Sequence, residues 1–316
     1  MSDYIIGGGI SALVCKSYCP ELKLIVKEGG IGGQVSNSFV NLKNLFVNKY
    51  NEKLLNDLRL NVEKVKSRFG FFYNNVVESD INKEAKELLL RKKLSDANHP
   101  LEVFDFSDKN INFGSGSGYE EIYNITFPQL VVKLLEKINI KDIIEGDVMV
   151  VDTKNKILVT KDFKKFNYDK LVSTIPATDF QYAAYNLNFN RSFLYTPKTY
   201  IVCDKPPIVL RKFFEEFDLI YCVDKLLFNR ITKTLDGYIY EVTGLFSKEE
   251  LSKFVDSDVS IKNFFVQKVG LTQGLSVDDF VVDDIYFLSR LSQWKHSIRT
   301  EDVVQRINEV LMKEFR

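Results

Sequence analysis

Short apolar stretches separated by glycines characterise the beginning of the chain. Residues 4–6 are apolar and predict a strand, which leads directly into three consecutive glycines at 7–9. Apolar residues then recur at helical spacing over 10–19, and a second apolar run at 23–27 predicts another strand that ends at Glu28. This region therefore predicts a strand, a glycine turn, a helix and a strand in succession.

Similar patterns predict further strands and a helix in the second half of the chain. Residues 147–151 and 157–160 alternate apolar and polar side chains around a Lys-Asn turn, which predicts a hairpin. A buried strand is expected at 171–176, ended by Pro176, and another at 284–288. A helix is then expected over 300–314, with Thr300 as its hydroxyl cap.

The intervening segments differ from these in character. Residues 51–95 are highly charged, and their leucine stripes predict helices, while 127–138 predicts an amphipathic helix. Residues 195–282 alternate apolar and polar side chains between turns, which predicts a mostly antiparallel sheet. The fold class is therefore α/β: a Rossmann-like domain with a mixed parallel sheet and a β-hairpin crossover, plus an α+β lobe with an antiparallel sheet.

The first glycine turn has the chemistry of a dinucleotide site. Gly7 permits a tight turn, Gly9 lets the backbone approach a pyrophosphate, and the following helix directs N–H groups and its positive end at the phosphates. Glu28 stands 19 residues after Gly9, near the ~20 expected for the acid that binds a ribose hydroxyl. The predicted contacts in this region are Gly7, Gly9, Ile10, Ser11, Ala12 and Glu28.

The continuation of this motif resembles that of a family of flavoproteins. Gly32 and Gly33 follow Glu28 closely, and this resembles the acid and paired glycines of FAD enzymes related to amine oxidases, phytoene desaturases and UDP-galactopyranose mutase. The resemblance implies FAD as the cofactor, with the paired glycines beside its diphosphate. Gln34 occupies a position where many relatives have Arg, which implies less positive charge there.

Two later segments resemble the places where this family's FAD domain returns. The string Val-Ser-Thr-Ile-Pro at 172–176 is similar to one that closes the strand facing the cofactor, and Val148 stands where relatives hold the adenine by backbone groups. Ser289 and Arg290 follow the last predicted strand, with Ser289 in place of the usual glycine. The resemblance implies these further cofactor contacts: Val148, Thr174, Ile175, Pro176, Ser289 and Arg290.

The same resemblance implies a division of the chain. A discontinuous FAD-binding domain is expected from residues 1–40, 125–178 and 282–316. The remaining segments, 41–124 and 179–281, are expected to form a substrate or cap lobe.

No catalytic residue is settled by the sequence, but four side chains are candidates. Arg230 lies in a Phe-Asn-Arg-Ile string that looks like one in mutase-like relatives, where an Arg reaches the flavin or an anionic substrate; a structural ion pair explains it equally well. Tyr119 follows a glycine-rich stretch, and Trp294 and His296 precede the last helix.

The amino-acid composition limits the classes of partner that the protein can bind. The 316 residues include 43 Lys plus Arg and 43 Asp plus Glu, so the zero net charge argues against whole-chain attraction to nucleic acid or anionic membrane. No apolar stretch reaches the ~18 residues of a membrane span, and there is no signal-peptide pattern. The four cysteines lack the spacing of metal ligands, so no metal site is expected. Their thiols are expected to be reduced, and the protein is expected in the cytoplasm. The sequence leaves the oligomeric state open.

The resemblance implies an FAD-dependent oxidoreductase of the amine oxidase type. It would oxidise a CH-NH or CH-CH bond of a small or tethered substrate, anionic or amine-bearing, by hydride transfer to flavin N5. One alternative is a mutase-like flavoenzyme that acts on a nucleotide sugar through reduced flavin. Another is a flavin-binding protein without turnover.

Overall fold

The computed structural model describes residues 2–33, 43, 45–97, 99–101, 118–184, 193–270, 282–293, 295 and 298–315, except for the side chains of 268–270. Within these residues the chain forms two β-sheets with short helices packed against them. In chain order the strands are β1 (Ser2–Ile6), β2 (Lys23–Val26), β3 (Leu45–Phe46), β4 (Lys64–Tyr73), β5 (Val76–Glu78), β6 (Tyr119–Tyr123), β7 (Ile143–Glu145), β8 (Val148–Asp152), β9 (Ile157–Thr160), β10 (Lys165–Ser173), β11 (Thr196–Cys203), β12 (Leu219–Cys222), β13 (Arg230–Thr234), β14 (Gly237–Thr243), β15 (Ile261–Gly270) and β16 (Ile285–Phe287).

The helices lie between these strands in sequence. In chain order the α-helices are α1 (Ile10–Tyr18), α2 (Lys49–Asp57), α3 (Lys83–Lys93), α4 (Phe127–Leu135), α5 (Ala177–Ala183), α6 (Lys248–Ser252), α7 (Arg290–Gln293), α8 (Thr300–Arg306) and α9 (Met312–Glu314). Two 3-10 helices cover Ile140–Asp142 and Ile208–Glu215, and a π-helical turn over Ile307–Leu311 joins α8 to α9.

The first sheet contains the glycine turn. Its strand order is β7-β2-β1-β10-β9-β8, and β16 pairs with β10. The pairings among β7, β2, β1, β10 and β16 are parallel, whereas β8, β9 and the beginning of β10 form an antiparallel meander. This is the mixed parallel sheet with a β-hairpin crossover that the sequence predicts.

The second sheet has nine strands in the order β15-β11-β14-β13-β12-β4-β6-β3, with β5 paired to β4. Its ladders are antiparallel except for the parallel pair β12 and β4. A sheet of mostly antiparallel strands is therefore present, as predicted. It recruits strands from two separate parts of the chain, before α4 and after α5.

The expectation that residues 51–95 are helical is wrong for their middle part, which forms β4 and β5. Asn74 and Asn75 both have positive φ, 53° and 66°, and connect the two strands as a two-residue hairpin turn. Asparagine tolerates this backbone region, and such turns match the twist of paired strands. The stretch Phe-Gly-Phe-Phe-Tyr before the turn is rich in the aromatic residues that strands favour.

The last helix also starts differently from the expectation. Arg299, not Thr300, is the residue that caps α8, and Thr300 is its first helical residue. The carboxylate of Asp302 accepts the Arg299 backbone N–H at 2.8 Å. The N-terminus of the helix is thus stabilised by a carboxylate in its first turn and not by a hydroxyl, because the carboxylate accepts the backbone N–H of the capping residue.

Apolar side chains hold the helices to the sheets. Ala12, Leu13 and Val14 of α1 are fully buried in a cluster with Ile5 of β1. Helix α2 packs in the same cluster through Leu54 and Leu55. It therefore lies against the first sheet, although the next strand along the chain, β4, belongs to the second sheet. None of the helices in the described part of the chain is long and apolar enough to cross a membrane.

Candidate cofactor and substrate site

The glycine turn lies at the edge of the first sheet where its parallel strands end. The Gly7 N–H donates to the Ile25 carbonyl at 3.0 Å, which extends the pairing of β1 and β2 by one residue. The Gly32 N–H donates to the Gly8 carbonyl at 2.7 Å, and Gly9 and Gly32 form an isolated parallel bridge. The paired glycines that follow Glu28 are therefore held against the first glycine turn by backbone bonds.

The glycines of this edge differ in the space around them. A Cβ on Gly7 would overlap the hydroxyl of Thr174, and one on Gly8 would overlap the carbonyl of Gly30. A Cβ on Gly33 would lie 2.9 Å from the Gly9 Cα, and Gly33 has φ +59°. By contrast, a Cβ on Gly9 would meet no atom of the described residues within 4 Å. Three of these glycines are required by protein packing, whereas the space beside Gly9 is open.

The open space adjoins the N-terminus of helix α1. Gly9 is the capping residue, with φ −72° and ψ 175°, and no side chain caps the helix. The Gly9 carbonyl accepts from Ala12 and Leu13. The first helical residues, Ile10 and Ser11, therefore direct their N–H groups toward the open side, where a helix N-terminus favours an anion.

Two further segments reach the same edge because the strands that precede them, β10 and β16, run parallel to β1. The Thr174 N–H and hydroxyl both donate to the Ile6 carbonyl, at 3.0 and 2.9 Å. The side chain of Ile175 lies beside Gly7, and Pro176 caps α5. The Ser289 hydroxyl donates to the Thr174 carbonyl at 3.0 Å. The predicted residues at 174–176 and 289 are thus brought together with the glycine turn.

Glu28 and Val148 lie at one end of this edge. Glu28 follows β2 and is exposed. Gly146 donates its N–H to the Val26 carbonyl at 2.8 Å, which brings the turn before Val148 beside the end of β2. Three predicted residues, Gln34, Trp294 and His296, lie outside the described residues.

The arrangement at this edge fits a dinucleotide. An open glycine at an uncapped helix N-terminus can accept a diphosphate, and an exposed acid at the end of the next strand can accept a ribose hydroxyl. The space beside Gly9 is the decisive feature, because the neighbouring glycines are filled by the protein itself.

The second sheet places several charged side chains on one of its faces. Arg230 of β13 is the direct register partner of Glu241 on β14 and of Tyr221 on β12, and Tyr200 on β11 is also a partner of Glu241. Direct partners share one face of a sheet. The Arg230 Nη2 lies 2.6 Å from Glu241 Oε2, so the predicted candidate Arg230 does form an ion pair.

Two lysines complete this group. Lys198 Nζ lies 3.1 Å from Glu241 Oε1, and Lys93, in the last turn of α3, places its Nζ 4.7 Å from the centre of the Tyr221 ring. We call Lys93, Lys198, Arg230 and Glu241 the charged cluster. Its members Lys93, Lys198 and Glu241 are each buried.

The pKa shifts within the charged cluster reflect burial together with the charges of the neighbouring groups. Burial lowers the pKa of Lys93 to about 7, although the nearby carboxylate of Glu241 partly offsets this by raising it. Burial likewise lowers the pKa of Lys198, and Arg230 lowers it further. Burial alone would raise the pKa of Glu241, but Arg230, Lys198 and Lys93 hold it well below its usual range.

Arg290 connects the charged cluster to the edge of the first sheet. It follows Ser289 directly, is accessible to solvent, and donates from Nε to the Ile298 carbonyl at 3.0 Å. Burial of the guanidinium and the nearby cations Arg299 and Arg230 lower its pKa. The proximity of Arg290 to Arg230 shows that the charged cluster lies close to the end of β16.

Tyr119 is not part of this group. It is the first residue of β6, it is exposed, and Lys66 Nζ lies 4.7 Å from the centre of its ring. Its neighbour Glu120, on the opposite face of the strand, is close enough to Tyr221 and Arg299 to influence their surroundings. The structure therefore turns Tyr119 away from the charged cluster.

No motif in the sequence singles out Lys93, Lys198 or Glu241. Each is charged at a position that faces the protein interior, and the one available signal was alternation: Lys198, Tyr200 and Val202 share a face of β11. No group of His, Cys, Asp and Glu in the described part of the chain could hold a metal ion.

Comparisons with known proteins give matches in structure but not in sequence. No family model matches the chain, and no curated protein does. Reduced UDP-galactopyranose mutase is similar in structure, with 12% identity, a TM-score of 0.66, and coverage of 99% of this chain and 96% of the other.

Two oxidases are similar to a comparable degree. Cyclohexylamine oxidase from Brevibacterium oxydans IH-35A is 10% identical with a TM-score of 0.65, covering 99% of this chain and 98% of the other. Putrescine oxidase bound to putrescine is 11% identical with a TM-score of 0.58 and the same coverage. The chain therefore has the same fold as UDP-galactopyranose mutase, putrescine oxidase and cyclohexylamine oxidase, as the resemblance in its glycine motifs predicts.

Proposed function

We propose that the chain is an FAD-dependent oxidoreductase that oxidises a CH-NH or CH-CH bond of a small or tethered substrate. The observation that carries this proposal is the open space beside Gly9, which lies at an uncapped helix N-terminus and at the edge of the first sheet. FAD, when bound, supplies the acceptor for a hydride equivalent at its N5 atom.

The residues at the edge of the first sheet would hold the cofactor. Gly9 and the N–H groups of Ile10 and Ser11 would bind the diphosphate, with Gly32 and Gly33 beside it. Glu28 would accept a ribose hydroxyl, and the backbone of Val148 would hold the adenine. Towards the flavin, the candidate contacts are Thr174, Ile175, Pro176, Ser289 and Arg290.

The remainder of the chain would form the substrate side. We propose that residues 1–40, 125–178 and 282–316 form the FAD domain and that 41–124 and 179–281 form the lobe that binds substrate. In this division the strands of the first sheet belong to the FAD domain and those of the second sheet to the substrate lobe. The second sheet would orient the substrate and exclude water from the reacting bond.

Cofactor binding can be tested with the variant Gly9→Val. Its Cβ would lie in the open space, more than 4 Å from every atom of the described residues, and the φ and ψ of Gly9 are accessible to valine. We expect a folded protein that no longer retains FAD, measured as the ratio of flavin to protein absorbance. Thr126→Val is a matched control, because it also replaces a helix cap but lies on α4.

Two results would contradict the proposal. Stoichiometric FAD in Gly9→Val would show that the cofactor site is elsewhere. If the wild-type protein is colourless and cannot be reconstituted with FAD, the proposed function is wrong. Oxidation itself is measured by anaerobic bleaching of the flavin on addition of substrate and by peroxide release in air.

A mutase-like reaction is a second candidate, and the position of Arg230 favours it. Arg230 lies within the charged cluster, where an arginine can bind the phosphates of a nucleotide sugar. Turnover of a UDP-sugar that requires prior reduction with dithionite would support this candidate over the oxidase. Flavin bleaching by an unreduced substrate would support the oxidase.

A further inference from the structure

Glu120 lies on the same face of the second sheet as the charged cluster. Its direct register partner on β4 is Ser67. Ser67 shares one face of that strand with Phe71, four residues further on, and Phe71 is the direct partner of Tyr221 on β12. Tyr221 is in turn the partner of Arg230. The side chains of Glu120 and Arg230 therefore project from the same side of the sheet.

This face of the second sheet also packs against segments that follow strands of the first sheet. Ala177 and Leu291 each come directly after a predicted cofactor contact, and both pack in one apolar cluster with Phe71. Tyr221 packs against the same cluster. The face that contains Glu120 therefore lies next to residues that are proposed to bind the flavin.

The titratable groups near Glu120 come from three other parts of the fold. Burial raises the pKa of Glu120, Arg299 before α8 partly offsets this, and Glu301 of α8 raises it further. On β12, burial raises the pKa of Tyr221, and Glu120 adds to this in the same direction. Glu301 accepts an N–H of the Asn51 side chain at 3.2 Å, which holds it against α2. The surroundings of Glu120 thus contain one guanidinium, one carboxylate and one phenol.

Arg299 connects Glu120 to the arginine beside the cofactor edge. Burial lowers the pKa of Arg290, and the positive charges of Arg299 and Arg230 lower it further. Arg290 directly follows Ser289, a predicted cofactor contact. Glu120 therefore belongs to a group of charges that extends from the face of the second sheet to the edge of the first.

Glu120 is the carboxylate in this group that is suited to take up a proton. It is half-buried, so part of it is accessible, and within the described residues it forms no ion pair with a Lys or Arg. Glu241, by contrast, is buried and bonded to Arg230 and Lys198. Although burial alone would raise the pKa of Glu241, these cations hold it well below its usual range. A carboxylate with a raised pKa is the stronger base of the two.

An amine must lose a proton before its neighbouring C–H bond can be oxidised. At neutral pH a simple amine is almost entirely ammonium, because its pKa is about 10. The ammonium nitrogen has no free electron pair with which to form a C=N bond as the hydride leaves. Positive charges such as Arg299 disfavour the ammonium and so favour loss of this proton.

We infer that Glu120 is the catalytic residue that accepts this proton from an amine substrate. The N–H bond breaks, and an O–H bond forms at the Glu120 carboxylate. The hydrogen of the neighbouring C–H bond then leaves with its electron pair, as hydride to the flavin, and the nitrogen electron pair forms the C=N bond of an iminium product. The inference rests on the proposed function, because it names the substrate class and the base of that same site.

The test measures the reduction of the flavin by amines at two pH values. The holoenzyme is mixed anaerobically with excess cyclohexylamine, benzylamine or putrescine, and flavin bleaching is followed at pH 7 and pH 10. Glu120→Gln should be at least about a hundredfold slower than the wild type at pH 7. At pH 10 about half of the amine is already neutral, so the variant should react within about threefold of the wild type.

Glu121→Gln is the matched control. Glu121 is the next residue of β6 and is exposed, and its side chain lies on the opposite face of the strand. This variant should match the wild type at both pH values. Glu120→Asp keeps a carboxylate on a shorter side chain, so at pH 7 its rate should lie between those of the wild type and Glu120→Gln. Flavin absorbance shows that each variant is loaded before amine is added.

Three results would overturn the inference. Equal rates for the wild type and Glu120→Gln at pH 7 would show that another group accepts the proton. A loss of rate as large at pH 10 as at pH 7 would show that Glu120 supports binding or packing and not proton transfer. Flavin that none of the three amines reduces would remove the amine substrate. In all three cases the protein still retains FAD, whereas failure of the proposed function appears as a protein that cannot bind it.

Discussion

The edge of the first sheet and the face of the second sheet are built in different ways. At the edge, backbone groups of residues 7–9 and 32–33 form the surface beside the open space. On the face, side chains from four separate elements form the charged cluster, and the backbone only sets their register. A backbone surface suits a cofactor with a fixed diphosphate, whereas a side-chain surface can change its charge and specificity by single substitutions.

This difference predicts that glycine substitutions at the edge divide sharply into two classes. Gly8→Ala should destabilise the protein most, by about 4 kcal/mol or more, because its Cβ would overlap the Gly30 carbonyl, which is fixed in the backbone. Gly9→Ala should cost less than about 1 kcal/mol, since no atom in the described part of the chain lies within 4 Å of the added Cβ. The free energy of unfolding from urea denaturation of the cofactor-free proteins measures both. Equal losses in the two variants would contradict the assignment of the open space to a ligand.

The charged cluster predicts the next largest effect. Glu241→Gln leaves Arg230, Lys198 and Lys93 without their shared carboxylate, and removal of one partner from a buried ion pair typically costs about 3–5 kcal/mol. The exposed pair of Arg68 and Glu216, 3.5 Å apart, provides the control.

In the control, Glu216→Gln should change the free energy of unfolding by less than about 1 kcal/mol, because exposed ion pairs contribute little. A similarly small effect at Glu241 would show that the charged cluster is not held together by that carboxylate. The proposal that the charged cluster forms part of the substrate side would then be wrong.

The two regions also differ in how far their sequences predict them. The strand, glycine turn, helix and acid lie within one stretch of some thirty residues, and each needs a particular residue type, so the edge could be predicted from local pattern. Lys198 and Glu241 are 43 residues apart and meet only because β11 pairs with β14 in one register. Such a pairing is set by the tertiary fold and leaves no local motif.

The middle of the segment 51–95 illustrates the same limit. Its charged residues favoured a helix, yet β4 forms there because its aromatic residues pack against α3 and β12 within a buried cluster. Tertiary packing of this kind overrides local propensity. The Asn-Asn turn was the one local signal that a hairpin was present.

Adjacent lysines of α3 provide a pH-dependent test of the charged cluster. Lys93 has a pKa of about 7 in the folded protein against an ordinary value of 10.5 in an open chain, so its burial in the charged form destabilises the protein below pH 7. This cost is relieved as the pH rises from 7 toward 10.5, because the unfolded chain then binds more protons. Lys93→Met should therefore raise the thermal midpoint by a few degrees more at pH 6 than at pH 9.

The groups around Lys93 are Glu241 on β14, Lys198 on β11, Arg230 on β13 and Lys92 on its own helix. Lys92 serves as the control, because its Nζ donates to three backbone carbonyls, those of Cys222, Leu226 and Phe228, at 2.6–2.8 Å. Lys92→Met should lower the midpoint at both pH values. A gain for Lys93→Met that is the same at pH 6 and pH 9 would contradict the shifted pKa.

The smallest expected effect concerns Ser289, whose side chain links two segments of the edge. The Ser289 hydroxyl donates to the Thr174 carbonyl and accepts the Ser292 N–H, both at 3.0 Å, and Ser289 is buried. Ser289→Ala should cost about 1–2 kcal/mol of unfolding free energy, the usual loss when buried groups are left without partners. Ser252→Ala, which removes an exposed hydroxyl bonded to the Glu249 carbonyl, should cost less than about 0.5 kcal/mol.

The flavin content of Ser289→Ala decides how the edge binds its cofactor. If the surface is made by backbone groups, the variant should retain FAD in the wild-type ratio despite its lower stability, since no backbone N–H at the open side is lost. Loss of FAD at a temperature where the variant is fully folded would mean that the hydroxyl itself contacts the cofactor. The edge would then depend on a side chain as the charged cluster does, and the contrast between the two regions would not hold at this position.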